Sequence, residues 1–389
     1  MQNRFSQYYN FFFNAGSILK SGRLAWIDYA KGLTIILVVY HHSFLTLVNA
    51  GVKMNTWLVN ANLSVYSFRM PMFFMLSGLF IEKSLRKKGV REYILSRAGL
   101  LLYPYLLWAF IQASCGILFS QYAHASWTWQ RYLVIFYQPN ATSQLWYLIT
   151  LFNTAMLYVF FSSAFRLNNR SQFLIGILLY MLSPFLFFNS MIQDATRFYV
   201  YLVLGSLISS FILDEANFGI LSSVRLFFPL TILMLISQFY LFHHQYLYGL
   251  EMYFNMGRLS YSSVFLHWLG MLEFTAIVMT GCAFVLNACA ILQKTEKAKF
   301  IRVIGYHSLY IYLMHVLIAV GCRMFFVNFL GYRNAYVILP LQIMAGMIGS
   351  VMIYNICRQA GLRFLFELDP EAIRRLARKM NVMPKLQKS

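Results

Sequence analysis

The sequence predicts an all-α, polytopic integral membrane protein with about ten transmembrane helices and both termini cytoplasmic, and three observations carry that expectation. The 389 residues are 60% hydrophobic and only 11% charged, against about 25% charged in a soluble globular domain. The apolar residues fall in runs near the length of a helical crossing, about 20 residues each. Short clusters of Lys and Arg separate several of the runs, as cytoplasmic loops do.

The runs cover residues 24–48, 58–81, 98–120, 145–165, 172–191, 196–213, 224–242, 260–292, 301–328 and 335–357. The eighth is long: at about 1.5 Å per residue it reaches about 50 Å, beyond a hydrocarbon core of about 30 Å. It must tilt, protrude or break in two. The positive-inside rule arbitrates, because an extra crossing inverts everything after it. With ten crossings and a cytoplasmic N-terminus, Lys83, Arg86, Lys87, Lys88 and Arg91 lie inside, as do Arg166 and Arg170. So do Lys294, Lys297 and Lys299, and the tail with Arg374, Arg375, Arg378 and Lys379. A split eighth run would put the last two clusters outside.

Residues 1–23 are thus expected as a cytoplasmic segment, 24–360 as one membrane domain and 361–389 as a basic tail. Stretches near 121–144 and 243–257 are the longer outer loops, and residues 371–379 read as a short basic helix at the headgroups or a solvated tail. The formal charge of +20, from 32 Lys and Arg against 12 Asp and Glu, is topological and calls for no nucleic acid. The five cysteines lie in apolar stretches without metal-ligand spacing, so no metal is expected. Residues 1–20 lack the compact apolar core of a cleavable signal.

Ionisable side chains inside a membrane helix are costly and are functional candidates by default. The first run carries Asp28, Lys31, His41 and His42. Lys31 and His42 are three turns apart, within roughly 20° of one face and about 16 Å along the axis. Asp28 shares that stripe, whereas His41 lies about 100° away. Lys31 then sits near the cytoplasmic boundary, a positive charge for an anionic ligand entering there. His42 is halfway through the bilayer or beyond, where a neutral imidazole suits general-base work. The bland alternative is a snorkelling lysine and a histidine bonded to a neighbouring helix.

Several motifs narrow these alternatives. Lys31 and His42 form an Arg-or-Lys, ten residues, His pattern preceded by Asp28-Tyr29-Ala30. In order follow Pro71-Met72-Phe73-Phe74-Met75-Leu76-Ser77-Gly78, Arg97 with Pro104-Tyr105-Leu106-Leu107-Trp108, Leu145-Trp146-Tyr147-Leu148, and Ser308-Leu309-Tyr310-Ile311-Tyr312-Leu313-Met314-His315. From about residue 24 to about 360 the chain resembles the membrane-bound acyltransferase family 3. That resemblance implies transfer of an acetyl group from cytoplasmic acetyl-CoA to a hydroxyl of a cell-surface or lipid-linked carbohydrate. It implies a multi-pass protein of the bacterial cytoplasmic membrane, with membrane lipids as its other partners. One departure stands out: the family's two arginines three apart on the third helix are Arg97 and Leu100 here.

Under that resemblance His42 is the base and Asp28 orients Lys31 one turn away. Lys31 and Arg97, with Lys88 or Arg91 replacing the missing arginine, hold the phosphates of coenzyme A. For most of the 83–91 cluster plain topogenic charge is the stronger reading, whereas Arg97 opens an apolar helix and matches the family's motif. Ser77-Gly78 permits close helix packing or reaches the thioester. Trp146 stacks on a sugar or anchors the interface, Arg197 recognises the acceptor, and His315 supports the groove or packs. His243, His244 and His267 read as interfacial or packing residues. Ala345 with Gly349, and Gly346 with Ser350, mark a packing face on the last helix. The rival class is a multi-pass transporter or flippase of a lipid-linked saccharide or small anion, but no matched pair of broken helices supports it.

Overall fold

A computed structural model describes residues 12–20, 22, 24–120, 128–186, 188–248, 264–369 and 371–375, and among them there are helices and no strand. The principal helices are α1 Ala25–Asn49, α2 Thr56–Ser64, α3 Arg69–Gly78, α4 Ile81–Arg97, α5 Tyr103–Leu118, α6 Trp146–Ser163 and α7 Asn169–Leu182. They continue as α8 Ser190–Ile212, α9 Val224–Tyr248, α10 Val264–Thr295, α11 Lys299–Tyr306, α12 Ser308–Arg323, α13 Ala335–Met344 and α14 Ser350–Gln359. Eight helical stretches among the described residues are long and apolar enough to cross a membrane. Eight of the ten expected runs coincide with them.

The other two runs form shorter helices. Residues 58–81 divide into α2 and α3 across a turn at 65–68, and 172–191 is covered by α7 and a 3-10 turn, Ser183–Leu186. The long eighth run is one unbroken helix, α10, through its described part. The expected outer loop at 121–144 contains a helix, Arg131–Tyr137, and a 3-10 segment, Pro139–Leu145. Residues 121–127 and 249–263 lie outside the described residues, as does the end of the expected tail helix, 376–379, whereas 371–375 are helical.

The chain divides into two compact units. The first takes in residues up to Phe73 and Ser210–Gln359. At its centre α1 packs on α10, α11, α12 and α13. The first turn of a helix leaves backbone N–H groups without intrahelical partners, and here Gln293 of α10 supplies one: Trp26 N–H donates to Gln293 Oε1 at 2.7 Å. Tyr29 adds a bond to the Lys297 carbonyl at 2.7 Å. A side chain at Gly32 would overlap the backbone of Ile301, and one at Gly305 the carbonyl of Asp28. The α1–α11 crossing is therefore made backbone to backbone, the contact that small residues give membrane helices. Further along, Phe44, Leu47, Leu58, Val327, Ile338 and Leu339 bury a common apolar cluster.

The second unit comprises chiefly Phe74–Leu118, Trp127–Ser209 and the residues after Gln359. In α4 a left-handed Gly89, φ 73°, interrupts the helical backbone. A π-turn, Ala98–Leu102, then leads into α5. Gly78 and Gly205 press α3 and α8 together, each lying where a methyl group would strike the other helix's backbone.

Candidate active site

α1 projects Asp28, Lys31, His41 and His42 in the order its periodicity predicts. Asp28 is buried and Lys31, one turn on, half-buried. The two histidines face different neighbours, as 100° between successive residues requires. The His41 Nδ1 lies 3.0 Å from Asn62 Oδ1, and its ring is 5.6 Å from that of Tyr66. The His42 ring faces α12, 5.2 Å from His315 and 5.3 Å from His41 between centroids.

His315 is fully buried. Its Nδ1 lies 2.9 Å from the Ile311 carbonyl and 3.0 Å from that of Tyr312. Carbonyls only accept, so in the neutral ring Nδ1 carries the proton and Nε2 keeps its lone pair. That Nε2 is buried without a hydrogen-bond partner. Packing explains why α12 can hold this ring so close to α1: Gly346, in the π-turn Ala345–Gly349, lies against Val39 and the His315 backbone and Cβ. Gln342 bonds the Ala319 carbonyl at 2.9 Å and Thr46 Oγ1 at 3.3 Å, tying α13 to both helices. Gly346 is thus a packing position, as its spacing suggests. Ser350 bonds back to its own helix at the Gly346 carbonyl.

His42 differs from both neighbours. Among the described residues neither of its ring nitrogens has a hydrogen-bond partner, and the residue as a whole is half-buried. An imidazole in that state can accept a proton from a ligand rather than from the protein.

One ionisable residue beside this group went unread in the sequence. Arg69, two positions before Pro71 of the second motif, is 3% exposed. Its Nη1 donates to the Leu37 carbonyl at 3.2 Å, its Nε to that of Tyr66 at 3.4 Å, and its Cζ lies 4.8 Å from the Tyr66 ring centroid. Arg69, Tyr66, His41, His42 and His315 thus form a continuous series of neighbouring side chains. The signal for Arg69 was present, since a charge within an apolar run is a functional candidate wherever it occurs.

The remaining expected site residues belong to the second unit. Arg97 is half-buried, with Nε donating to the Tyr93 hydroxyl at 2.9 Å and the guanidinium 5.1 Å from that ring. Lys88 and Arg91 are exposed, and Lys88 Nζ donates to Ser96 Oγ at 3.1 Å. Ser77 is half-buried. Trp146 and Arg197 have separate partners: the Trp146 ring is 5.4 Å from that of Phe198, and Arg197 is 4.0 Å from Asp194. Gln144, fully buried, has no partner for either amide atom, and Asp194 Oδ2 is likewise buried without a hydrogen bond. Asp194 and Gln144 were not anticipated, because a buried polar residue at a helix entry looks in sequence like any loop residue. The side chains of His243, His244 and His267 lie outside the described residues. Among the described residues no group of three His, Cys, Asp or Glu is disposed to hold a metal.

Comparison with known proteins places this geometry in context. A family profile described as an acyltransferase domain matches residues 24–355. Nodulation protein NolL of Mesorhizobium japonicum (strain LMG 29417 / CECT 9101 / MAFF 303099) is 35% identical over 81 residues, a match covering 21% of this chain and 21% of the relative. No solved structure matches. The profile runs from the start of α1 into α14, taking in His42, Arg69, Arg97 and His315, and the chain belongs to the acyltransferase-domain family.

Proposed function

We propose that this multi-pass membrane protein is an O-acyltransferase that moves an acetyl group from acetyl-CoA to a hydroxyl of a cell-surface or lipid-linked carbohydrate, with His42 as general base. The observation that carries the proposal is the state of His42: an imidazole inside a membrane-spanning helix, partly accessible, with both nitrogens unbonded among the described residues. Family membership supplies the reaction class. A base is what such a transfer needs, because the attacking hydroxyl must lose its proton as oxygen bonds to the thioester carbon, and a positioned base contributes about 100- to 10,000-fold.

His315 supports the base. Its proton is committed to α12's backbone carbonyls, which leaves its buried Nε2 as a free acceptor on a ring 5.2 Å from that of His42. Lys31, Arg97, Lys88 and Arg91 serve as binding groups for the donor's phosphates, with Asp28 orienting Lys31. The Arg97 guanidinium is held by Tyr93. Trp146 suits stacking on a sugar, and Arg197 with Asp194 suits recognition of its hydroxyls, with the unsatisfied Gln144 a further polar group in the same unit. Ser77, beside the close-packed Gly78, serves packing. The cytoplasmic membrane of a bacterium, with both termini inside, is the proposed setting.

The test is release of coenzyme A from acetyl-CoA by the purified protein supplied with glycans from its source cell. We expect His42→Ala to abolish release while the thermal midpoint stays within about two degrees of wild type. Full activity in that variant removes His42 from the mechanism. Uptake of saccharide without consumption of acetyl-CoA points instead to a transporter.

A further inference from the structure

Arg69 occupies the first turn of α3 and is almost completely buried, yet it has no acidic partner. Among the described residues no carboxylate lies within ion-pair distance of it, and the ionisable groups that act on it are Tyr66 and Tyr40. A guanidinium has five N–H donors, of which two reach protein acceptors, the carbonyls of Tyr66 and Leu37. The Leu37 carbonyl is already an acceptor within α1, four residues before His41, so the arginine is not required to satisfy it. Holding an unpaired cation inside a membrane bundle is expensive, and such residues persist where they act on a ligand.

Its location says which charge it would meet. Tyr66 touches both Arg69 and His41, His41 touches His42, and Arg69 lies close enough for its charge to act on both histidines. We propose that Arg69 is an oxyanion-stabilising residue, its guanidinium facing the negative charge that forms on the thioester carbonyl oxygen during acyl transfer. The inference rests on the acyl-transfer reading above. The acceptor's hydroxyl oxygen bonds to the carbonyl carbon as His42 takes its proton, and the carbonyl π pair moves onto oxygen beside Arg69. When the pair returns, the carbon–sulfur bond breaks, its electrons leave on the coenzyme A sulfur, and the proton held by His42 passes to that thiolate. A cation fixed in a low-dielectric site stabilises the intermediate without having to reorganise.

The test uses full-length protein in detergent, acetyl-CoA labelled with carbon-13 at its carbonyl, and glycans from the source cell. Bound donor should show a carbonyl stretch below that of free acetyl-CoA in wild type, and the shift should vanish in Arg69→Met. Turnover in Arg69→Met should fall by about 100-fold, the scale of losing one oxyanion donor, with KM for acetyl-CoA within twofold of wild type. Arg69→Lys, which keeps the charge and forfeits the paired donors, should recover part of the turnover. The thermal midpoint of Arg69→Met should not fall, because an apolar side chain replaces an unpaired buried charge. Wild-type turnover in Arg69→Met overturns the proposal, as does an unshifted carbonyl band in wild type or an Arg69→Lys variant as inactive as Arg69→Met. If wild type itself consumes no acetyl-CoA, the acyl-transfer reading fails first and this role fails with it.

Discussion

Three histidines within two ring contacts of one another hold three different hydrogen-bonding states: His41 is bonded to Asn62, His315 to its own helix, and His42 to neither. This division of labour predicts graded effects. His315→Ala should lower turnover by less than the 100- to 10,000-fold typical of losing the base itself, and leave KM for acetyl-CoA unchanged. Were it as damaging as His42→Ala, the two rings would have to be acting as one proton-transfer unit, and His42 would lose its separate role. His42 and Lys31 were readable in the sequence because charge inside an apolar run needs no tertiary knowledge to be noticed. Arg69 is equally readable, a charge within an apolar run two positions before Pro71. What no sequence discloses is the state of each ring. The bonds of His41 and His315 depend on Asn62 and on rotamers within α12, and those are settled only by packing.

At the scale of elements, helix crossings are set by single glycines. A side chain at Gly32, Gly305, Gly78 or Gly205 would collide with backbone, which cannot move aside as a flexible side chain does. Gly305→Val should therefore destabilise the protein by at least the 1–3 kcal/mol typical of overpacking, read as a fall in thermal midpoint, and activity should fall with it because α1 carries His42. A folded Gly305→Val protein with unchanged midpoint would show the crossing to be looser than drawn. Helix existence was legible from apolar run length alone, and α10 shows that even an overlong run can remain a single helix. Breaks were not legible where the breaking residues are themselves compatible with a bilayer. Val65, Tyr66, Ser67 and Phe68 turn the chain between α2 and α3 without a proline or glycine to mark it.

For the whole molecule, composition and loop charge predict a topology that can be measured directly. Single cysteines replacing Lys87 or Lys297 should resist a membrane-impermeant maleimide in intact cells and react once the membrane is permeabilised, whereas one replacing Trp129, 66% exposed, should react at once. External labelling at position 87 or 297 would invert the assignment. The division into two units was not legible, because both are built from the same apolar vocabulary and the first draws on distant parts of the chain. One bond within that unit has a further consequence for biogenesis. The amide of Trp26 finds its acceptor in Gln293, 267 residues later, and at about 5–20 residues per second a ribosome needs roughly 13 to 50 s to deliver it. The helix bearing His42 thus leaves the ribosome long before the residue that completes its first turn. Until then its amino end must be tended by water, headgroups or the insertion machinery, and the nascent chain should remain inactive.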